Sequence, residues 1–222
     1  MVLAVVAVCV RLGFWQLQRL EERRAYNSAL RTAAALPPLQ LDSATLQAVS
    51  REPARFVHRR VRARGSYDPA GEVVLRSRAQ SGRPGVHIVT PLRLAGGGLA
   101  VAVNRGWAPS PDALSVNAHL VWEPGPREIE GVLLAIPSGE GGPQPAGGTW
   151  LRLDLEALRQ RVTYPVLPLY IQQLAPPSAT ESLERIPSPE LEQGPHLSYA
   201  IQWFSFAAIA LIGFIIVVRR RP

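Results

Sequence analysis

The residues best suited to chemistry in this sequence lie where its last apolar segment begins. His196 directly follows Pro195, and Tyr199 and Trp203 come three and seven residues later. If residues 196–218 form a helix, this spacing places the three side chains on one side of it. A neutral imidazole with aromatic walls is suited to ligate haem iron, because a porphyrin needs an axial ligand and apolar contacts. The alternative is a histidine in an interfacial aromatic belt that binds no ligand.

Other familiar kinds of site are absent from the sequence. It contains no nucleophile elbow, Walker-type phosphate loop, His-Glu-x-x-His sequence or paired-cysteine motif. The lone Cys9 excludes an internal disulfide and a thiol-based copper carrier. His58 and His119 are expected to have surface or structural roles. His87 alternates with aliphatic neighbours in a strand-like segment, so we expect it to face solvent or a partner.

The carboxyl-terminal segment predicts a membrane-spanning helix. Residues 197–218 carry no charged side chain. As a helix they extend about 33 Å, which is enough to cross a hydrocarbon core of about 30 Å. Aromatic side chains mark the first boundary, and the three arginines Arg219, Arg220 and Arg221 mark the second. By the positive-inside rule, this basic tail at residues 219–222 is expected in the cytoplasm.

The amino-terminal segment predicts a shorter span. Residues 1–10 are apolar, Arg11 interrupts them, and an aromatic end follows at Phe14 and Trp15. We expect residues 1–17 to form a first membrane helix, shortened by truncation at its start. A cleaved signal peptide is the alternative, but no basic region precedes the apolar run and no clear cleavage pattern precedes Trp15.

The intervening chain predicts one domain rich in β-strands. Residues 18–50 are expected to form a polar helix and a connector to a domain at residues 51–175. Short alternating segments in that domain are separated by glycine and proline turns, and the clearest hairpin joins residues 86–94 to 99–107. These features favour an antiparallel sandwich or barrel. The proline-rich residues 176–195 are expected to form a semi-extended tether to residues 196–218.

Two further stretches of the domain have expected roles. In the sequence Asn104-Arg105-Gly106-Trp107, Gly106 would permit a β-bulge and Trp107 would pack, so a structural role is expected. Residues 137–148 are of low complexity and are expected to form a flexible loop.

The basic composition indicates no particular partner. The formal net charge is +7, and every basic residue other than histidine is arginine. With abundant alanine, glycine and proline, this bias is typical of a GC-rich genome. Charge alone supports only weak attraction to anionic surfaces, so we expect no nucleic-acid binding. The arginines between Arg51 and Arg64 are interpreted as a solvated strand face rather than a phosphate or lipid-head site.

Four sequence blocks carry a resemblance to a known family. They are LGFWQLQR at residues 12–19, GVHIVTPL at 85–92, NRGW at 104–107 and HLSYAIQWF at 196–204. With these four blocks in this order, the sequence resembles the surfeit-locus-one family of cytochrome c oxidase assembly proteins. The resemblance covers nearly the whole chain.

The resemblance implies two transmembrane α-helices that flank a mainly-β extracytoplasmic domain in the bacterial inner membrane. It implies a role in maturing haem-copper oxidases by binding or delivering haem a, with no established catalysis. The implied partners are the oxidase catalytic subunit, haem a synthase and the lipid bilayer. The family's haem-associated histidine corresponds to His196. Gly194 and Gln202 stand where asparagine and threonine are common, which is expected to weaken hydrogen bonding around His196.

Two other functions stay open on the sequence alone. One is a cofactor-free membrane scaffold that stabilises an oxidase subunit during assembly. The other is a membrane-anchored enzyme that acts outside the cytoplasm, such as a hydrolase. The enzyme is disfavoured because the sequence shows no constellation of nucleophile, base and metal ligands.

Overall fold

The chain forms a pair of long helices and a β domain. The computed structural model describes residues 1–96, 98–116, 123–137, 148–174, 183–186 and 194–219. Met1–Thr32 and Pro189–Pro222 belong to one compact unit, here termed the helix pair. Ala33–Ser188 belong to the second unit, termed the barrel domain.

The helix pair consists of α1, Val2–Ala35, and α4, His196–Arg219. Both helices are long and apolar enough to cross a membrane. The apolar start and the polar continuation of α1 form one uninterrupted helix, which ends just before Pro37 and Pro38. At 1.5 Å per residue α1 extends about 50 Å, well beyond the ~30 Å of a hydrocarbon core. The helix as a whole is therefore longer than one membrane span requires.

Small residues let the two helices approach closely. Four of them are buried: Cys9, Gly13, Ala200 and Ala207. A Cβ atom added at Gly13 would lie 2.6 Å from Phe204 Cε1, so the ring of Phe204 occupies the space that a side chain would need. The rings of Phe14 and Phe204 meet edge to face with centroids 5.4 Å apart. Such small-residue interfaces are typical of helices that associate in lipid.

The barrel domain consists mainly of strands. They are β1 Leu39–Gln40, β2 Arg60–Tyr67, β3 Val73–Gln80, β4 Arg83–Leu94, β5 Ala100–Pro109, β6 Pro126–Ala135, β7 Thr149–Trp150 and β8 Val166–Gln173. Two short helices accompany them, α2 Ser43–Arg51 and α3 Leu155–Arg161. Each helix begins with an aspartate cap: Asp42 accepts a hydrogen bond from the Thr45 amide, and Asp154 accepts one from the Ala157 amide.

Five strands close into a ring. The order β2-β6-β8-β5-β4 is completed by pairing of β2 with β4. The strands β3 and β7 extend the sheet from β4, and β1 adds to β2. The predicted barrel is confirmed, although three pairs, β5–β8, β1–β2 and β3–β7, are parallel. β8 lies between β6 and β5. It pairs antiparallel with β6 and parallel with β5.

The first long strand shows how the core forms. In β2, Val61, Ala63 and Tyr67 are buried, while the arginines between them lie on the outer face. Arg60 and Arg62 on that face both bond to Glu130 across the strand pair. The arginines of β2 therefore form a solvated strand face, as predicted, whereas Arg51 and Arg55 lie in short helices that precede the strand.

The hairpin of β4 and β5 contains a bulge at Arg105. Ile88 pairs with Gly106, but the next residue of β4, Val89, pairs with Asn104, so Arg105 is the extra residue. Gly106 has a φ of +141°, and a Cβ atom there would lie 2.6 Å from the carbonyl oxygen of Glu184. Only glycine fits this approach of two backbones.

Part of the expected tether packs on the barrel domain. Glu184 forms an antiparallel bridge with Trp107, and its amide and carbonyl exchange hydrogen bonds of 2.9 and 2.7 Å with that residue. Leu183 is buried beside them. Residues 183–186 therefore act as a short additional strand. The rest of the expected tether up to residue 193, and residues 138–147 of the expected loop, lie outside the described residues.

Candidate functional site

His196 begins α4 and forms a hydrogen bond with α1. Its Nδ1 lies 2.9 Å from Oε1 of Gln16. Because that oxygen accepts, Nδ1 carries the proton, which leaves a lone pair on Nε2. No hydrogen bond to Nε2 is found in the part of the chain that the structure describes. Metal-ligating histidines usually donate their other ring N–H in this way, which fixes the tautomer and the ring orientation.

An open groove of about 320 Å³ lies beside His196. Its other lining residues all belong to α1: Arg19, Glu22, Arg23 and Tyr26. These four residues recur at spacings of three and four, so they form one stripe along the helix. The volume is at the low end of the range for small-molecule sites. The groove thus places an imidazole at the end of a charged helical face.

Positive charge dominates this groove. Arg19 Nη1 lies 2.8 Å from Glu22 Oε2, and both side chains are about half exposed, at 55% and 50%. The guanidinium of Arg23 lies 5.5 Å from the ring centroid of Tyr26. Among the described residues, two guanidinium groups and one carboxylate line the groove.

His196, Tyr199 and Trp203, which the sequence grouped, all lie in α4 at the predicted helical spacing. His196 lines the groove, whereas Tyr199 and Trp203 are not among its lining residues. Tyr199 is 46% exposed, and the Trp203 ring contacts that of Phe206 at a centroid distance of 6.0 Å. The groove's own aromatic residue is Tyr26, which the sequence analysis missed. Tyr26 follows Arg23 by three positions and Arg19 by seven, and this spacing could have placed it on the same face of α1.

Gly194 lies beside the Nε2 edge of His196. Gly194 has a φ of +69°, and a Cβ atom there would lie 3.3 Å from both Nε2 and Cδ2 of His196. An asparagine also tolerates this left-handed conformation, but its side chain would crowd the imidazole edge. The glycine therefore adds no side chain at this edge, and Gln16 forms the hydrogen bond to Nδ1.

A buried ionic cluster lies in the barrel domain. The Arg105 side chain is 1% exposed, and its Nη1 and Nη2 atoms lie 3.2 Å from Glu72 and 3.1 Å from Glu123. Its guanidinium lies 4.7 Å from the ring centroid of Tyr67. The Tyr67 hydroxyl donates to Gln173 Oε1 at 2.8 Å. Burial, together with the Glu123 carboxylate, raises the pKa of Tyr67 far above its ordinary value, so the phenol stays a donor.

Further residues complete this cluster. Thr90 donates to Glu72 at 2.7 Å, and Arg127 and Arg185 both form ion pairs with Glu123. The Nη1 of Arg185 also donates to the carbonyl oxygen of Arg105. Three arginines share two carboxylates, so each guanidinium has at least one anionic partner. This pairing supports the expected structural role of the bulge segment.

The other histidines belong to the scaffold. His87 is largely covered and lies 3.4 Å, Nδ1 to Nδ2, from Asn104. Burial lowers the pKa of His87 to about 4, and the charge of Arg78 acts in the same direction. His87 is therefore neutral and does not face solvent freely. Burial also lowers the pKa of His58, which has a φ of +69°. His119 lies outside the described residues.

Metal chemistry with several protein ligands has no support in the described ranges. Within them, no group of three or more His, Cys, Asp or Glu side chains could hold a metal ion.

Comparison with known proteins identifies the family. The profile of the SURF1 family matches residues 3–208. An uncharacterized SURF1-like protein of Mycobacterium bovis is 31% identical over 212 residues, which cover 91% of this chain and 74% of that protein. A SURF1-like protein of Rickettsia felis is 25% identical over 231 residues, or 99% and 95% of the two chains. Surfeit locus protein 1 of Takifugu rubripes is 28% identical over 124 residues, or 48% and 49%. The chain therefore belongs to the SURF1 family, the family of cytochrome c oxidase assembly proteins.

Proposed function

We propose that this oxidase assembly factor binds haem a through His196 and holds it for delivery to the oxidase catalytic subunit. The observation that carries the proposal is the hydrogen bond between His196 Nδ1 and Gln16 Oε1. It fixes the imidazole in the tautomer whose Nε2 can ligate iron.

The residues around His196 fit this cofactor. His196 would hold the iron, and the Tyr26 ring and the stems of Arg19 and Arg23 line the same groove. Phe14 and Phe204 contact each other elsewhere on the helix pair. When bound, haem a supplies the redox-active iron centre that an oxidase needs. The protein's own residues only bind and orient the group, so no covalent step is assigned to them.

The proposed location places His196 at a membrane surface. With α1 and α4 crossing the bacterial inner membrane, the arginine at the carboxyl end of α4 would lie on the cytoplasmic side. The barrel domain then lies outside the cytoplasm. Haem a is poorly soluble in water, so a site at the lipid boundary would let it pass from haem a synthase to the oxidase without leaving the membrane surface.

Haem content is the direct test of this function. The full chain is co-expressed with the enzymes that make haem a, purified in detergent, and assayed for haem a per polypeptide by absorbance after alkaline pyridine extraction. We expect close to one haem a per chain and an absorbance spectrum that depends on His196. Preparations that contain no haem a above the level of an unrelated two-helix membrane protein would refute binding.

Gln16 should determine how tightly His196 holds haem. In Gln16→Leu the imidazole keeps its Nε2 but loses the partner of Nδ1, so we expect haem affinity to fall by about 10–100-fold, the usual effect of losing such a partner. Haem titration followed by absorbance measures the change. Gln202→Leu is the matched control, because Gln202 is exposed on α4. Equal affinities of the two variants would contradict the role of Gln16.

Gly13 should determine how closely the helices hold the site. In Gly13→Leu the new side chain meets the Phe204 ring, so the helices separate near Gln16 and His196. We expect roughly tenfold weaker haem binding, the lower end of the effect of losing a ligand's hydrogen-bond partner. The double variant Gly13→Leu with Phe204→Ala removes the obstructing ring and is expected to recover much of the affinity. If the double variant binds no better than Gly13→Leu, the close packing is not the cause.

A further inference from the structure

The sequence blocks at residues 85–92 and 104–107 meet on one face of the barrel domain. Gly85 and His87 are two positions apart on β4, so they lie on the same face of the sheet. A Cβ atom at Gly85 would overlap the indole of Trp107, so the glycine gives this ring its place on the sheet. Asn104 on β5 pairs with Val89, which shares the face of His87. The hairpin of β4 and β5 therefore surrounds His87 on this face.

The hydrogen bonds of Asn104 determine where His87 carries its proton. The Gly106 amide donates to Oδ1 of Asn104 at 3.3 Å, so Nδ2 of Asn104 is directed to His87. This Nδ2 lies 3.4 Å from His87 Nδ1. Because an amide nitrogen only donates, Nδ1 accepts, and the proton of the neutral ring lies on Nε2. No partner of Nε2 is found among the residues that the structure describes, and the atom is not sealed from solvent.

Arg78 brings a guanidinium to the same face from β3. It pairs with Gly85, and directly paired residues share a face. Its Nη2 donates to the carbonyl oxygen of Leu151 at 2.7 Å, which fixes one end of the group. Within the described part of the chain, its Nε and Nη1 have no hydrogen bond and the guanidinium has no ion pair. Burial lowers the pKa of Arg78, and no described carboxylate opposes this effect.

Tyr170 supplies a phenol from β8. It pairs with Ala102, which lies two positions before Asn104 and so on the same face. The charge of Arg78 acts on the pKa values of both His87 and Tyr170, so the guanidinium lies close to both rings. The Tyr170 hydroxyl has no hydrogen-bond partner among the residues with described positions. Burial raises its pKa, so the hydroxyl remains a donor.

We propose that Arg78, His87 and Tyr170 form a binding site for a phosphate group on the barrel domain. The site offers a guanidinium, an imidazole N–H and a phenol O–H from three strands. A phosphate has enough acceptor oxygens for all three donors, and arginine forms strong charged hydrogen bonds with it. The phosphate can belong to a soluble ion or to a lipid headgroup. This site goes beyond the proposed function and does not depend on haem binding.

Binding of inorganic phosphate tests the site. The purified full chain in detergent is dialysed against radiolabelled phosphate at constant ionic strength, and the resonances of its ¹⁵N-labelled imidazoles are recorded in parallel. Arg78→Gln removes the charge, and Tyr170→Phe removes one hydroxyl. Arg93→Gln is the matched control, because Arg93 is an arginine of β4 whose guanidinium lies 5.2 Å from the ring centroid of another tyrosine, Tyr164. Melting temperatures check that the variants fold.

The expected result is phosphate binding that depends on these side chains. Arg78→Gln should weaken it at least about tenfold, the change for one charged hydrogen bond, and Tyr170→Phe about two- to tenfold, the change for a neutral one. Arg93→Gln should bind like wild type. Phosphate should shift the resonance of His87, identified by its loss in His87→Gln, and leave that of His58 in place.

The same resonance distinguishes the two sources of phosphate. A shifted His87 resonance in nanodiscs of phosphatidylglycerol, without added phosphate, identifies a lipid headgroup. A resonance that moves only when inorganic phosphate is added identifies the soluble ion. The inference is overturned if wild-type protein binds no phosphate in either setting, if Arg78→Gln and Tyr170→Phe bind it as tightly as wild type, or if chloride causes the same shift. None of these results involves His196, so the proposed function is tested separately.

Discussion

His196→Ala should remove the histidine-dependent haem spectrum expected for this protein and lower its haem a content to background. His196 is the histidine that lines the groove, and its Nδ1 is already engaged by Gln16. Without the imidazole, the groove loses the proposed iron ligand. Because removal of a partner of a ligand already costs 10–100-fold, loss of the ligand itself should cost at least ~100-fold in affinity. Absorbance and haem stoichiometry after purification measure this loss.

Two comparisons separate ligation from general damage. His58→Asn alters a histidine of the barrel domain, where asparagine suits the positive φ, and should leave the haem spectrum unchanged. His196→Gly with imidazole added to the buffer should regain the wild-type spectrum, because free imidazole can take the vacated position. An unaltered spectrum in His196→Ala would reject direct ligation. Normal oxidase assembly in cells that carry His196→Ala would favour the cofactor-free scaffold.

Arg105→Met should strongly destabilise the barrel domain. Methionine fills much of the same volume, but the carboxylates of Glu72 and Glu123 lose a buried positive partner. Breaking one side of a buried ion pair costs about 3–5 kcal/mol in free energy of unfolding. Urea unfolding of the purified chain, followed by circular dichroism in the β region, measures this loss as a lower midpoint.

Arg64→Met is the matched control for Arg105→Met. The Arg64 side chain is 75% exposed and lies 3.8 Å from Glu128, so its removal should change the unfolding free energy by at most about 1 kcal/mol. Equal midpoints for the two variants would show that the buried cluster does not stabilise the domain as argued.

Local patterns predict the main elements of this fold. The uncharged run at residues 197–218 indicates α4 because only a helix satisfies its backbone in lipid. Alternation predicts the outer arginine face of β2, and a glycine in a strand predicts the bulge next to Gly106. These features depend on neighbours within a few residues, so the sequence displays them directly.

Long-range relations could not be read in the same way. The parallel pairing of β5 with β8 depends on which strands lie between them, and no local signal sets that order. The Gln16–His196 hydrogen bond joins residues 180 positions apart, and Gln16 resembles any polar residue after an apolar run. Arg105 is buried because the bulge turns it toward Glu72 and Glu123, whereas arginine in a strand is usually exposed.

The separation of 180 residues between Gln16 and His196 determines when the site can exist. During synthesis, the first helix emerges long before the last one, so a growing chain has the glutamine but no imidazole to orient. Under the proposed function, haem capture therefore follows completion of translation, when both helices are present. A chain that loses its final helix lacks His196 and with it the proposed ligand.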